Sequence, residues 1–73
     1  MKDNGAVYFR ANTRDVNYIN RIFEGYEHVG VVSTVDKGRG ILVVRATPDT
    51  ARDARDILAS LPIPVEFIEE SIL

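Results

Sequence analysis

Apolar and polar positions alternate through "AVYFRA" (residues 6–11), with Val7 and Phe9 on one side and Tyr8 and Arg10 on the other. A period of two predicts a β-strand. After "NTRD" the spacing changes: Val16, Ile19, Phe23 and Tyr26 recur at helical intervals, and Ile22 widens the stripe. Asn12 or Thr13 suits the helix N-cap, Asp15 suits the positive end of its dipole, and Gly25 suits a left-handed C-terminal cap. The β-branched runs "VGVVSTV" (29–35) and "GILVVRAT" (40–47) predict two further strands. Between them, Asp36 and Lys37 fit the centre of a type I turn and Gly38 the left-handed residue after it, which sets Val35 against Arg39. In "TPDT", Thr47 is the expected N-cap and Pro48 the first helical residue. "ARDARDILASL" (51–61) then turns Ala51, Ala54, Ile57, Leu58 and Leu61 to one side, with Arg52 and Asp56 able to pair across a turn. Pro62 and Pro64 end this helix, and "VEFIEE" (65–70) predicts a last strand.

The order is β-α-β-β-α-β. It predicts an α+β, ferredoxin-like fold: two helices on one face of a four-stranded antiparallel sheet, with the first and third strands central. Residues 1–73 are expected to form one such domain, with residues 1–5 and 71–73 as tails.

Helices cover only one side of that sheet. With Val7 and Phe9 turned toward them, Tyr8 and Arg10 face away, as do Ile41, Val43 and Arg45 on the third strand. Neither side of the second strand is polar, and Val31 belongs to the uncovered set. A half-exposed antiparallel strand normally alternates clearly. Tyr8, Arg10, Val31, Ile41, Val43 and Arg45 are therefore expected to form an apolar interaction surface.

Composition narrows the means of stabilisation. At 73 residues the chain buries a modest core, and it has no cysteine for a disulfide or thiolate metal site and one histidine, His28. Oligomerisation is the remedy left, and a homodimer is expected. Hydrophobic content of 45% with 27% charged residues is that of an ordinary globular domain, and no apolar run approaches the ~20 residues of a membrane span. The opening "MKDNGAVYF" is strand-like and does not resemble a signal peptide, which gives the expectation of a cytoplasmic protein. Net charge is −2, with residues 1–45 at +2 and residues 46–73 at −4. General nucleic-acid binding is not expected from that balance.

Candidate chemistry is sparse. "VYFRAN" and "RGILVVRA" resemble the two strand motifs of RNA-recognition (RRM) domains, with Tyr8 at an aromatic position and Arg10 and Arg45 beside it. The stacking positions of the second motif fall on Ile41 and Val43, which offer no π-face. "GRGILV" opens a strand instead of a helix, unlike a dinucleotide-binding loop. His28, in "EGYEHVG", is expected as an exposed residue at a helix-to-strand turn. No cofactor, metal or catalytic set is expected. The loop Asn12, Thr13, Arg14 and Asp15 is the candidate binding site, since backbone N–H groups and Arg14 there suit a carboxylate or phosphate.

From "YFR" through the helix ending "EGY" to "VVSTVD…G" and the short second helix, the chain resembles a small bacterial family known as domain of unknown function 4911. That resemblance carries no assigned chemistry. The architecture is also similar to the ACT domain, a regulatory module that binds amino acids and dimerises through its sheets. The similarity implies a ligand near the first strand-to-helix loop, Asn12 to Asp15. The combined expectation is a non-enzymatic, self-associating regulatory or adaptor domain that contacts a partner protein. Its alternatives are a sensor of an amino acid or small anion, and an RNA-binding module on the open sheet face.

Overall fold

The computed structural model describes residues 5–69. Strand β1 (Ala6–Ala11) leads through a single 3₁₀ turn (Thr13–Asp15) into helix α1 (Val16–Glu24). Strands β2 (Gly30–Asp36) and β3 (Ile41–Ala46) form a hairpin, and helix α2 (Ala51–Ala59) precedes the short strand β4 (Val65–Ile68). The sheet is antiparallel in the order β2-β3-β1-β4. This is the ferredoxin-like α+β arrangement, with β1 and β3 central.

The core follows the alternation in the strands. Val7 and Phe9 of β1, with Leu42 and Val44 of β3, are buried together with Ile19 and Phe23 of α1 and Ala51, Ala54 and Leu58 of α2. Val16, Ile57 and Leu61 close its margin. Small alanines on α2 let that helix sit close to the two central strands.

Local capping departs from the sequence expectation in four places. Neither Asn12 nor Asp15 makes a side-chain cap; the Asp15 N–H donates to the Asn12 carbonyl instead, at 2.9 Å. The chain uses a 3₁₀ turn to satisfy groups that a capping side chain would otherwise serve. Gly25 has φ −82°, so α1 ends without a left-handed residue, its N–H donating to Ile22. Arg52 and Asp56 form no ion pair; both are exposed, and the basic residue stands N-terminal, the less favourable order on a helix. Regular α2 begins at Ala51, after a turn that Thr47 starts: the Ala51 N–H donates to the Thr47 carbonyl at 2.9 Å. Thr47 and Thr50 cap one another there, each backbone N–H donating to the other's hydroxyl, at 3.0 and 3.2 Å.

The fourth departure sits in the β2–β3 hairpin. Asp36 pairs with Ile41 and the loop runs from Lys37 to Gly40, so Val35 is not paired with Arg39. Gly40 carries the left-handed backbone, φ 70°, and Gly38 does not. Asp36 supports this turn, since its Oδ1 accepts the Arg39 N–H at 3.1 Å. A one-residue bulge between Thr34 and Asp36 absorbs the shift. Strand β4 is shorter than expected, ending at Ile68, and Glu70 lies outside the described residues.

Candidate functional site

The sheet face away from the helices carries the expected set, but not in the expected state. Register places Tyr8 beside Val43, Arg10 beside Ile41, and Val31 beside Arg45. Ile41 and Val43 are 1% exposed each, so the expectation of an apolar patch centred on them does not hold. Both sit on a central strand with a paired residue on either side, one of the two large: Val43 between Tyr8 and Ser33, Ile41 between Arg10 and Asp36. What that face does present is Val31, 62% exposed, with Arg10 and Arg45 exposed and Tyr8 half-buried. The apolar exposure has moved from the middle of the sheet to its β2 margin, where Val35 is 45% exposed as well.

A cleft of about 460 Å³ lies where β1 ends and β4 begins. Arg10, Asn12, Thr13, Arg39, Gly40 and Glu66 contribute to its walls. Arg10 stands opposite Glu66 in the β1–β4 ladder, with Nη1 3.4 Å from Glu66 Oε1. Arg39 is held loosely to Asp36, 3.7 Å away. Gly40 brings the hairpin against β1: its carbonyl accepts the Ala11 N–H at 3.0 Å, and a Cβ there would lie 2.6 Å from the Ala11 oxygen. Chemically, the cleft offers two guanidinium groups, one carboxylate, an amide and a hydroxyl. Such a set matches a small molecule with both a carboxylate and an ammonium group.

Of the four loop residues expected to bind a ligand, the structure brings Asn12 and Thr13 to this cleft. Arg14 is exposed and does not line it, and Asp15 is the N-cap of α1. Sequence reasoning missed Arg39, Gly40 and Glu66 as cleft residues. The signal for the first two is "DKGRG", which the sequence explains equally well as an ordinary hairpin turn. Glu66 could be placed only once β4 was known to pair with β1.

His28 is exposed, its ring 6.1 Å from that of Tyr26. Among the described residues, no three His, Asp or Glu side chains gather as metal ligands, and no helix is long and apolar enough to cross a membrane.

A family model described as a domain of unknown function, DUF4911, matches residues 9–65. The chain belongs to this family. The matched segment runs from Phe9 in β1 to Val65 at the start of β4. It therefore spans nearly all of the DUF4911 core, the whole β2–β3 hairpin and most of the cleft. No curated protein and no solved structure matches the chain.

Proposed function

We propose that this DUF4911 domain is a non-enzymatic regulatory or adaptor module that self-associates through its sheet and contacts a partner protein. The observation that supports this most is strand β2. It is a seven-residue, β-branched strand at the edge of the sheet, with Val31 and Val35 exposed and neither Pro nor Lys within it. Edges of that kind pair with other chains unless something blunts them. A small core that would benefit from a partner adds to the reading. A bacterial cytoplasmic setting belongs to the same proposal and rests on the family resemblance and the globular composition.

Sedimentation velocity across a dilution series from micromolar to millimolar tests the proposal. The expected result is a sedimentation coefficient that rises from monomer to dimer. A single monomeric species at millimolar concentration overturns it.

The cleft favours a second reading, a sensor of an amino acid or small anion. Its support is the meeting of Asn12 and Thr13 with Arg10, Arg39 and Glu66 around one opening. RNA binding is not proposed, because the ladder neighbours of Tyr8 and Arg10 that would need to stack bases are the buried, aliphatic Val43 and Ile41.

A further inference from the structure

The two edges of the sheet are built differently. Strand β4 is four residues long, follows Pro62 and Pro64, and carries Glu66 and then Glu69 beside it. Short length, proline and charge are the usual ways of closing an edge to further pairing. Strand β2 has none of these along Gly30–Thr34, where its register with β3 is unbroken; its one protective device is the bulge at the far end. Among the described residues no strand lies on its outer side.

Charge is segregated along this same edge. At the Gly30 end, a groove of about 360 Å³ runs between α1 and β2, lined by Phe23, Glu24, Glu27, Gly30, Val31 and Val32. Its charged residues are both acidic. At the opposite end, the hairpin tip carries Lys37 and Arg39, both exposed. Arg39 keeps only the loose contact with Asp36, and Lys37 has no ion pair among the described residues.

Arg45, beside Val31, lies on the open face away from this groove, and Asp36 offsets part of the charge of Arg39. On the groove side the edge is acidic at one end and net basic at the other, which is complementary to itself when turned round. Antiparallel pairing about Ser33 keeps the regular stretch of each copy at its centre and brings Val31 of one copy to Val35, the bulge residue, of the other. The same two-fold operation lays Lys37 and Arg39 of each copy beside Glu24 and Glu27 of its mate. Parallel pairing would bring acidic ends together and basic ends together. Stacking by the open face would leave both charge clusters at the periphery.

Resting on the self-association proposed above, we infer that the DUF4911 domain dimerises edge to edge through β2. A second copy of this chain is the occupant: the two β2 strands pair antiparallel, and each hairpin tip seats in its partner's acidic groove. The product is one continuous eight-stranded sheet. Main-chain hydrogen bonds supply the attraction, and the charged ends fix direction and register.

The full chain tests this in two ways. One variant carries Glu24→Lys with Glu27→Lys, and a second carries Lys37→Glu with Arg39→Glu; all four positions are exposed, so the fold is expected to persist, and circular dichroism checks it. Each variant alone is expected to dimerise roughly tenfold or more weakly, because like charges then meet at both ends of the interface. An equimolar mixture is expected to recover wild-type affinity as a heterodimer, at physiological salt. Independently, amide exchange in the wild type is expected to slow at residues 31–35 as concentration passes through the dimer range. A wild-type dimer that neither variant weakens, with exchange at 31–35 independent of concentration, overturns edge pairing while leaving self-association standing. A wild type that never dimerises overturns both.

Discussion

The hydroxyl of Thr50, at the entrance to α2, donates a 2.8 Å hydrogen bond to the carbonyl oxygen of Val29, just before β2 begins. The Thr50 hydroxyl oxygen itself accepts the Thr47 N–H at 3.0 Å, so one side chain ends a loop, starts a helix and ties both to the edge strand. Thr50→Val keeps the shape but removes the donor and the acceptor. It is expected to cost about 1–2 kcal/mol, the usual range for a lost cap with a buried carbonyl left wanting. Thr50→Ser, which keeps the hydroxyl, is expected to cost about 0.5 kcal/mol or less. Urea denaturation reads both as a shift in midpoint at unchanged slope.

The two glycines of the hairpin tip are expected to respond oppositely to alanine. At Gly40 the backbone is left-handed and an added Cβ would lie 2.6 Å from the Ala11 carbonyl. Gly40→Ala is therefore expected to destabilise by about 2 kcal/mol or more, from conformational strain together with displacement of β1. At Gly38 the nearest atom to an added Cβ is Asp36 Oδ1, 3.6 Å away, an ordinary contact. Gly38→Ala is expected to be neutral or slightly stabilising, by up to about 1 kcal/mol, through the unfolded chain. Equal losses at the two positions in thermal unfolding would contradict this hairpin geometry.

Burial separates residues that the sequence places on one face. Ile41→Ala is expected to cost about 2–4 kcal/mol, as for any large side chain removed from a packed site. Val31→Ala, at a position 62% exposed, is expected to change monomer stability by about 0.5 kcal/mol or less. In a domain of this size each kcal/mol moves the melting temperature by roughly 4–8 °C, so the two variants are readily distinguished. The comparison belongs at concentrations below any dimerisation, since Val31 lies on the proposed interface.

These contrasts show where the sequence was legible. Element order, strand order and the core were readable because Phe9, Ile19, Phe23, Leu42, Val44 and Leu58 each sit at the period of their own element, and the prolines and β-branched runs mark the joints. Turn detail was not, since "DKGRG" accommodates a left-handed residue at either Gly38 or Gly40. The observed turn is supported by Asp36 capturing the Arg39 N–H and by Gly40 fitting against Ala11, a residue 29 positions away. Exposure on the open face was misread for a similar reason. Alternation states which side of the sheet Ile41 and Val43 occupy, whereas their burial depends on Tyr8, Arg10 and their other lateral neighbours. Half of the candidate loop lines the cleft: Asn12 continues the extended course of β1 and Thr13 opens the 3₁₀ turn, whose later residues Arg14 and Asp15 do not line it.

The cleft makes its own demand on experiment. A zwitterion seated there would place its carboxylate near Arg39 and Arg10 and its ammonium near Glu66, the one acidic residue on the cleft walls among the described residues. Titrating the protein with a panel of amino acids is therefore expected to shift the amide resonances of Asn12, Thr13, Arg39 and Gly40, and to leave Arg14 unmoved. Arg39→Ala is expected to weaken binding roughly tenfold or more, since it removes a charge-assisted hydrogen bond without touching the core. Glu66→Gln separates the two charges of the ligand: it should weaken an amino acid while sparing a simple carboxylic acid of the same shape. The stability of that variant should change by about 1 kcal/mol at most, because the Arg10–Glu66 pair is exposed. Shifts confined to Arg14 and Asp15, or none at any concentration, would remove the sensor reading and leave the edge of β2 as the surface through which this domain acts.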